Sequence, residues 1–334
     1  MVDFLPLYST PRADAVANFI TRHYAIAAPL ECRMLNRGFN DVYRVTSASG
    51  EAYIFRLSHH RVRGAADVKT ETEFLLHLAR QGVPVARPIE TRSGDWFLRS
   101  EAPEGAREGI LFEQLGGRAV DAASTSHARA NGRTLAMLHN AAEFHVATNP
   151  LYHLDLDHLL RRPIERMRTS VFFTEAGAFD EFDAIASRVA ERITAFGPLT
   201  RTHCHGDCHG FNARILDDGR AAFFDFDDGG PGYLAYDLAV FLWAKVSFGR
   251  TLHHLWAAFI EGYRDVRPIA ADDFEATHAF VIVRHIWLMS EYASRVPEWG
   301  SEHASWIPKE ISFLKQWEEV HLSGGLRGLF RSGR

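Results

Sequence analysis

Residues 205–216, HGDCHGFNARIL, and residues 223–242, FFDFDDGGPGYLAYDLAVFL, decide how this chain is to be read. Asp207 is followed five residues on by Asn212 and, past the short apolar runs ARIL and AAFF, by Asp225-Phe226-Asp227. Apolar runs alternating with Asp, Asn and Gly predict a β-hairpin that carries polar groups at its strand ends. An aspartate able to take a hydroxyl proton, an asparagine five residues later and a second aspartate beyond a hairpin form an oxygen-rich set. Such a set suits Mg2+ and a transferring phosphoryl group. Magnesium prefers hard oxygen ligands and keeps several waters, so one Asn and one Asp from the protein suffice. The four residues between Asp207 and Asn212 let both side chains face one cavity.

The rest of the chain narrows the classes. Its 334 residues correspond to about two domains of ordinary size with a sizeable core. A formal charge of -5, from 42 acidic and 37 basic side chains, gives no electrostatic footprint for nucleic acid or an anionic membrane surface, and neither partner is expected. Cys32, Cys204 and Cys208 are a sparse set, and MVDFLPLYST lacks the basic and apolar regions of a secretory signal, so a cytoplasmic chain with reduced thiols is expected. The most apolar helical stretch, Phe280 to Met289, is too short to span a bilayer and is interrupted by Arg284 and His285. The only lysines are Lys69, Lys245, Lys309 and Lys315, so nearly all positive charge is arginine.

From Leu30 to Leu57 the runs LECRML, VYRVT and AYIFRL, separated by turn residues, predict three antiparallel strands. A helix is predicted from about Asp67 to Arg80, with Gly82 at a C-cap position and Pro84 beyond. DWFLRS and GILFEQL read as two further strands, which makes a small sheet with one helix over roughly the first 115 residues. Amphipathic stretches near 124–145, 154–170, 178–196, 233–265, 272–293 and 305–320 predict a mainly helical remainder, with a frayed tail SGGLRGLFRSGR.

In order and spacing, the two opening stretches resemble the catalytic loop, metal-binding segment and following helix of the aminoglycoside phosphotransferase and choline kinase family, which shares the protein-kinase-like fold. Weaker similarity covers NRGFNDVYRV as a nucleotide-covering loop, AYIFRL as the third strand, ETEFLLHLARQGVPVARP as the first helix and LFEQLGGR as the hinge. The pattern stands near stress response kinase A and bacterial kinases acting on homoserine and amino sugars.

The resemblance implies an α+β, two-lobed fold: a small antiparallel-sheet nucleotide-binding lobe over 1–115, and a larger, mainly helical catalytic and acceptor-binding lobe over 116–334. It implies Asp207 as catalytic base, Asn212 and Asp225 as Mg2+ ligands with Asp227 assisting, and Asp237 as a buried acceptor holding the catalytic loop. Asn36, Gly38 and Phe39 fall in the nucleotide-covering loop, Arg56 and Glu71 at the phosphates, and the backbone from Glu113 to Leu115 at the adenine edge. The implied cofactors are ATP and Mg2+. The implied reaction moves the γ-phosphoryl group to a hydroxyl of a small molecule of amino alcohol, sugar, homoserine or aminoglycoside type. A protein serine or threonine is the alternative acceptor.

Two departures stand out. Many kinases place a lysine where this chain has Arg56, and no lysine precedes Lys69. Arginine binds phosphate oxygens bidentately, through a longer planar fork. Its helix partner follows from phase: Glu71 shares a face with Phe74, Leu75 and Leu78, whereas Glu73 points about 160° away. Phe211 occupies a position that is usually glycine in the family, and crowding there is expected to shift Asn212.

Other readings compete. Asp and Asn beside Gly commonly serve turns and caps, Arg56 and Glu71 suit an ordinary ion pair, and 36–40 suits a plain hairpin turn. HCHGDCH approaches the H-x-H-x-D-H motif of zinc hydrolases, with His203 and His205 on one side of a strand, but Cys208 breaks the register and Asn212, DFDD and YDLA are left idle. A nucleotide-binding module without transfer activity is a further possibility, motivated by Arg56 and Phe211. On the acceptor side, Glu291, Glu298, Glu302, Trp287, Trp299 and Trp306 suit a cationic substrate through carboxylates and aromatic faces.

Overall fold

β-branched and aromatic residues at alternate positions build the amino-terminal sheet. The computed structural model describes residues 4, 6–59, 65–148, 153–173 and 178–322; the expected tail lies outside them. Strands β1 (Glu31–Arg37), β2 (Asn40–Thr46), β3 (Ala52–Ser58), β4 (Leu98–Ala102) and β5 (Gly105–Glu113) form an antiparallel sheet in the order β1-β2-β3-β5-β4. In β2 burial alternates strictly, turning Asp41, Tyr43 and Val45 inward. Tyr43 and Val45 join Phe55, Leu57 and Leu111 in a core that α1 (Ala13–His23) closes with Val16 and Ile20, followed by Tyr24. The buried Asp41 is paired with Arg107 at 2.9 Å, and Arg107 also donates to Ser58 O at 2.8 Å.

Helix α2 (Ala65–Arg80) buries Glu71, Phe74, Leu75 and Leu78. Among the described residues two helices therefore accompany this sheet, where the sequence reading expects one. The missed helix, α1, buries only Val16 and Ile20 within its span, a thin periodic signal. The runs ARIL and AAFF form the expected hairpin, β8 (Ala213–Ile215) with β9 (Ala221–Phe223), and β6 (Arg118–Ala119) adds to β8.

Contacts group the chain into two units, Met1–Ala119 with Phe144–Leu151 and Ala213–Asp227, and Val120–Glu143 with Tyr152–Asn212 and Asp228–Arg334. The first unit thus takes in segments 144–151 and 213–227, which a linear division after residue 115 leaves in the other. Backbone bonds from Phe223 N to Pro84 O and from Ala86 N to Phe223 O, both 2.9 Å, tie the hairpin there.

The second unit is mainly helical: α3 (Thr125–Ala142), a π-helical turn (Asp157–Arg161) leading into α4 (Arg162–Arg168), α5 (Ala178–Thr194), α6 (Leu234–Val246), α7 (His253–Arg264), α8 (Ala271–Ser294), α9 (Val296–Trp299) and α10 (Ile311–His321). The amphipathic stretch over 233–265 is divided into α6 and α7 where Phe248 and Gly249 take positive φ, 54° and 73°. Strand β7 (Arg201–Cys204) pairs antiparallel with β10 (Gly230–Tyr233) in a ladder separate from the β8–β9 hairpin. Among the described residues no helix is long and apolar enough to cross a membrane.

Helices α3 and α7 cross where each offers a glycine. A Cβ on Gly132 would lie 2.0 Å from Phe259 O, and one on Gly262 2.1 Å from Arg129 O. Helix propensity alone makes alanine better than glycine by about 1 kcal/mol. The backbone contact reverses this sign, and Gly132→Ala and Gly262→Ala are each expected to destabilise by about 1–3 kcal/mol. Urea midpoints at unchanged m-value read the effect.

Candidate active site

Helix α6 is buried along its whole length, so Asp237 in its first turn must be fully partnered. Its Oδ2 accepts the His205 N–H at 2.7 Å and its Oδ1 the Gly206 N–H at 2.8 Å. His139 Nε2 of α3 stands 3.1 Å from Oδ2, and its other ring nitrogen is 2.7 Å from the Tyr263 hydroxyl of α7. Burial pushes the Asp237 carboxyl up, but the bonds and charges of His139, His205 and the Gly206 N–H outweigh it and hold the group below the ordinary value. Gly206 sits at φ 81°, and a Cβ there would lie 1.9 Å from Asp228 O, so the loop closes onto Asp237 only with glycine.

That loop presents Asp207. Its Oδ2 accepts from Asn212 Nδ2 at 2.9 Å, and the same nitrogen reaches Asp207 O at 3.1 Å. The amide nitrogen of Asn212 is thereby committed to Asp207, and its oxygen is left as a hard donor. Asp207 Oδ1 pairs with Arg284 Nη2 of α8. Arg284 is buried; its Nη1 lies 3.3 Å from the Tyr236 hydroxyl and 3.4 Å from Gly206 O, and its guanidinium covers the rings of Trp287 at 4.5 Å and Trp243 at 5.3 Å. Burial works against its charge, yet Asp207, Tyr236 and Asp228 more than compensate and hold its pKa above the ordinary range. His205 accepts the Asp207 N–H through Nδ1 at 3.3 Å, and burial lowers its pKa.

The crowding expected from Phe211 does not occur. Gly210 at φ 99° turns the chain so that the Phe211 ring projects outward, 48% exposed, and Asn212 keeps its bond to Asp207. Lys245 of α6 lies under that ring at 4.9 Å and donates to His209 O at 3.2 Å.

In the first unit, Arg56 and Glu71 meet at 2.5 Å, both buried, while Glu73 faces Lys69. The other arm of the Arg56 fork reaches Asp225 Oδ1 at 3.4 Å. Asp225 takes a left-handed φ of 66°, an outlier that persists only where the surroundings over-determine it. Arg56, Asp225, Glu113 and Leu115 all line a cavity of about 450 Å3 whose walls include Val42, Ile54, Leu75, Phe112 and Phe224. Asp227 Oδ2 accepts from Asn40 Nδ2 at 2.6 Å. Asn36 stands in β1 opposite Val42, while Gly38 and Phe39 form the β1–β2 turn, where Gly38 N bonds Asn40 O at 3.1 Å; none of the three is in that cavity's lining.

Sequence reasoning missed Asn40 and the His139–Tyr263 support, for which no local signal exists. It also missed Arg284, whose signal was present: an arginine inside an apolar helix is costly unless paired. Among the acceptor-side candidates, Glu291 pairs with Arg166 at 2.7 Å and Glu298 with Arg295 at 3.1 Å. Glu302 is exposed, and Trp306 donates its indole N–H to His303 O at 3.0 Å. Among the described residues no three His, Cys, Asp or Glu side chains converge as a zinc site requires.

Residues 31–269 match the Phosphotransferase enzyme family, and the chain belongs to it. A Deinococcus radiodurans protein described as uncharacterized is 37% identical over 325 residues, covering 95% of this chain and 93% of that protein. A homoserine kinase of Caulobacter vibrioides is 27% identical over 316 residues, 90% of this chain and 93% of the kinase. Among solved structures, the microcompartment-associated aminopropanol kinase superposes with a TM-score of 0.76 at 19% identity, covering 92% of this chain and 98% of that one. The amicoumacin kinase hAmiN, solved with AMP-PNP and Ca2+, gives 0.75 at 17%, covering 90% and 93%. The fold is therefore the mixed α/β, kinase-like fold of this family.

Lys245 offers a check on this scaffold. Burial, with the Arg250 charge adding to it, pushes its ammonium from 10.5 down to about 8. Between those values the unfolded chain binds more protons at this position, so the stability contribution rises with pH through that window. Stability of the wild type relative to Lys245→Met is expected to increase from about pH 8 to about pH 10 in urea titrations, and a flat or falling difference would contradict desolvation as the cause.

Proposed function

We propose that the chain transfers the γ-phosphoryl group of ATP to a hydroxyl of a small molecule. The observation that carries this reading is the Asp207–Asn212 pair, 2.9 Å apart on a loop whose backbone is bonded to the buried Asp237. Asp207 orients the acceptor hydroxyl and takes its proton as the acceptor oxygen bonds to the γ-phosphorus and the bond to the leaving ADP oxygen breaks. The amide oxygen of Asn212 and the carboxylates of Asp225 and Asp227 are assigned to Mg2+, whose hard-oxygen preference this donor set meets. When bound, Mg2+ neutralises developing charge on the phosphates.

Arg56 is assigned to the phosphates, with Glu71 fixing its fork. Its Nε is buried without a hydrogen-bond partner among the described residues, so a donor remains for a phosphate oxygen. The cavity beside it has the size range of ligand pockets, and its apolar walls suit a purine with the backbone of Glu113 to Leu115 at the edge. The AMP-PNP and Ca2+ of the amicoumacin kinase structure support nucleotide and divalent-metal use. Named neighbours acting on an antibiotic and an amino alcohol, and homoserine kinases among the relatives, support a small-molecule acceptor over a protein one.

Calorimetric titration of metal-stripped protein with ATP should show binding that needs Mg2+ and weakens in Asp225→Asn. Asp207→Asn is expected to keep Mg·ATP affinity within about twofold while lowering phosphoryl transfer about 10^2–10^4-fold. Full turnover by Asp207→Asn overturns the assignment.

A further inference from the structure

We propose that the acceptor carries no net positive charge, and that Arg284 sets this preference; the inference rests on the reading of Asp207 as the group that meets the acceptor hydroxyl. Positions 284, 287, 291 and 295 follow helical spacing along one face from α8 into its C-cap, beginning at Asp207. An ammonium-bearing substrate needs carboxylates with charge to spare, or open aromatic faces. Along this stripe the chain's own arginines hold both.

Asp207 pairs with Arg284, Glu291 with Arg166 at 2.7 Å and Glu298 with Arg295 at 3.1 Å. The indole of Trp287 lies under Arg284 at 4.5 Å, and that of Trp299 under Arg295 at 5.7 Å. Glu302 is exposed to water, where its charge is screened. A cation entering beside Asp207 meets the buried guanidinium of Arg284 and has to displace it to gain the carboxylate. A neutral or anionic hydroxyl compound meets no such opposition. Of the acidic and aromatic residues that suggested a cationic substrate in the sequence, Glu291, Glu298, Trp287 and Trp299 are thus internally compensated.

The experiment is a small-molecule extract of bacterial cells divided at pH 7 by ion exchange into cation-retained, anion-retained and flow-through pools, each incubated with the protein, Mg2+ and γ-32P-ATP. Label is expected in an organic product of the flow-through or anion-retained pool, absent with Asp207→Asn. Label confined to the cation-retained pool overturns the inference and leaves the kinase reading standing. Label in no pool counts against the kinase reading, and the inference falls with it. Arg284→Gln is expected to raise the cation-retained share of label at least severalfold, and an unchanged distribution denies Arg284 the selecting role. The wild-type pools decide the acceptor's charge class even where that variant folds poorly.

Discussion

A single buried carboxylate organises the loop that carries Asp207. Asp237 lies in the first turn of α6, where the helix dipole favours negative charge, and accepts the backbone N–H groups of two consecutive loop residues. Two adjacent N–H groups aimed at one side chain fix the loop's direction more tightly than one bond does, and Gly206 alone accepts the resulting backbone. The same carboxylate is braced by His139 and, through it, by Tyr263, so helices α3 and α7 contribute to loop geometry without reaching Asp207. The close glycine crossing of these helices brings that brace within reach.

Charge is handled by the same logic elsewhere. Arg56 with Glu71, Arg107 with Asp41 and Arg284 with Asp207 are pairs in which at least one partner is almost wholly removed from water. A buried charge is tolerable only when paired, so losing one partner costs more than the pair contributes. Such pairs are poor sources of stability and good sources of orientation. At Arg284 the orientation falls on the very carboxylate proposed to handle the acceptor hydroxyl, which is why acceptor selectivity and the position of the base are one problem here.

What the sequence showed, and what it concealed, follows the range of each interaction. The five sheet strands, the 213–223 hairpin and the pairing of Arg56 with Glu71 were legible because they rest on alternation, turn residues and helical phase. The β7–β10 ladder joins Cys204 to Gly230, and no local pattern states that partner. Arg284 stood out as a charge in an apolar helix, but its partner lies far back in the chain, so the anomaly was visible and its meaning was not. Phe211 misled because side-chain volume was weighed without the backbone: a positive φ at Gly210 sends the ring outward.

Arginine at position 56 illustrates what the scarcity of lysine means for this chain. In a buried position an ammonium gives up its proton readily, and Lys245, pushed to about 8, shows the direction within this same protein. A guanidinium keeps its charge over any physiological range. Its planar fork also spans two carboxylates at once, Glu71 at 2.5 Å from one nitrogen and Asp225 at 3.4 Å from the other, where a lysine presents a single point charge. Helix α2 and the segment after β9 are thereby referred to one rigid group on β3. The departure from lysine keeps the positive charge and adds a geometric constraint on Asp225, a residue already held in a left-handed backbone conformation.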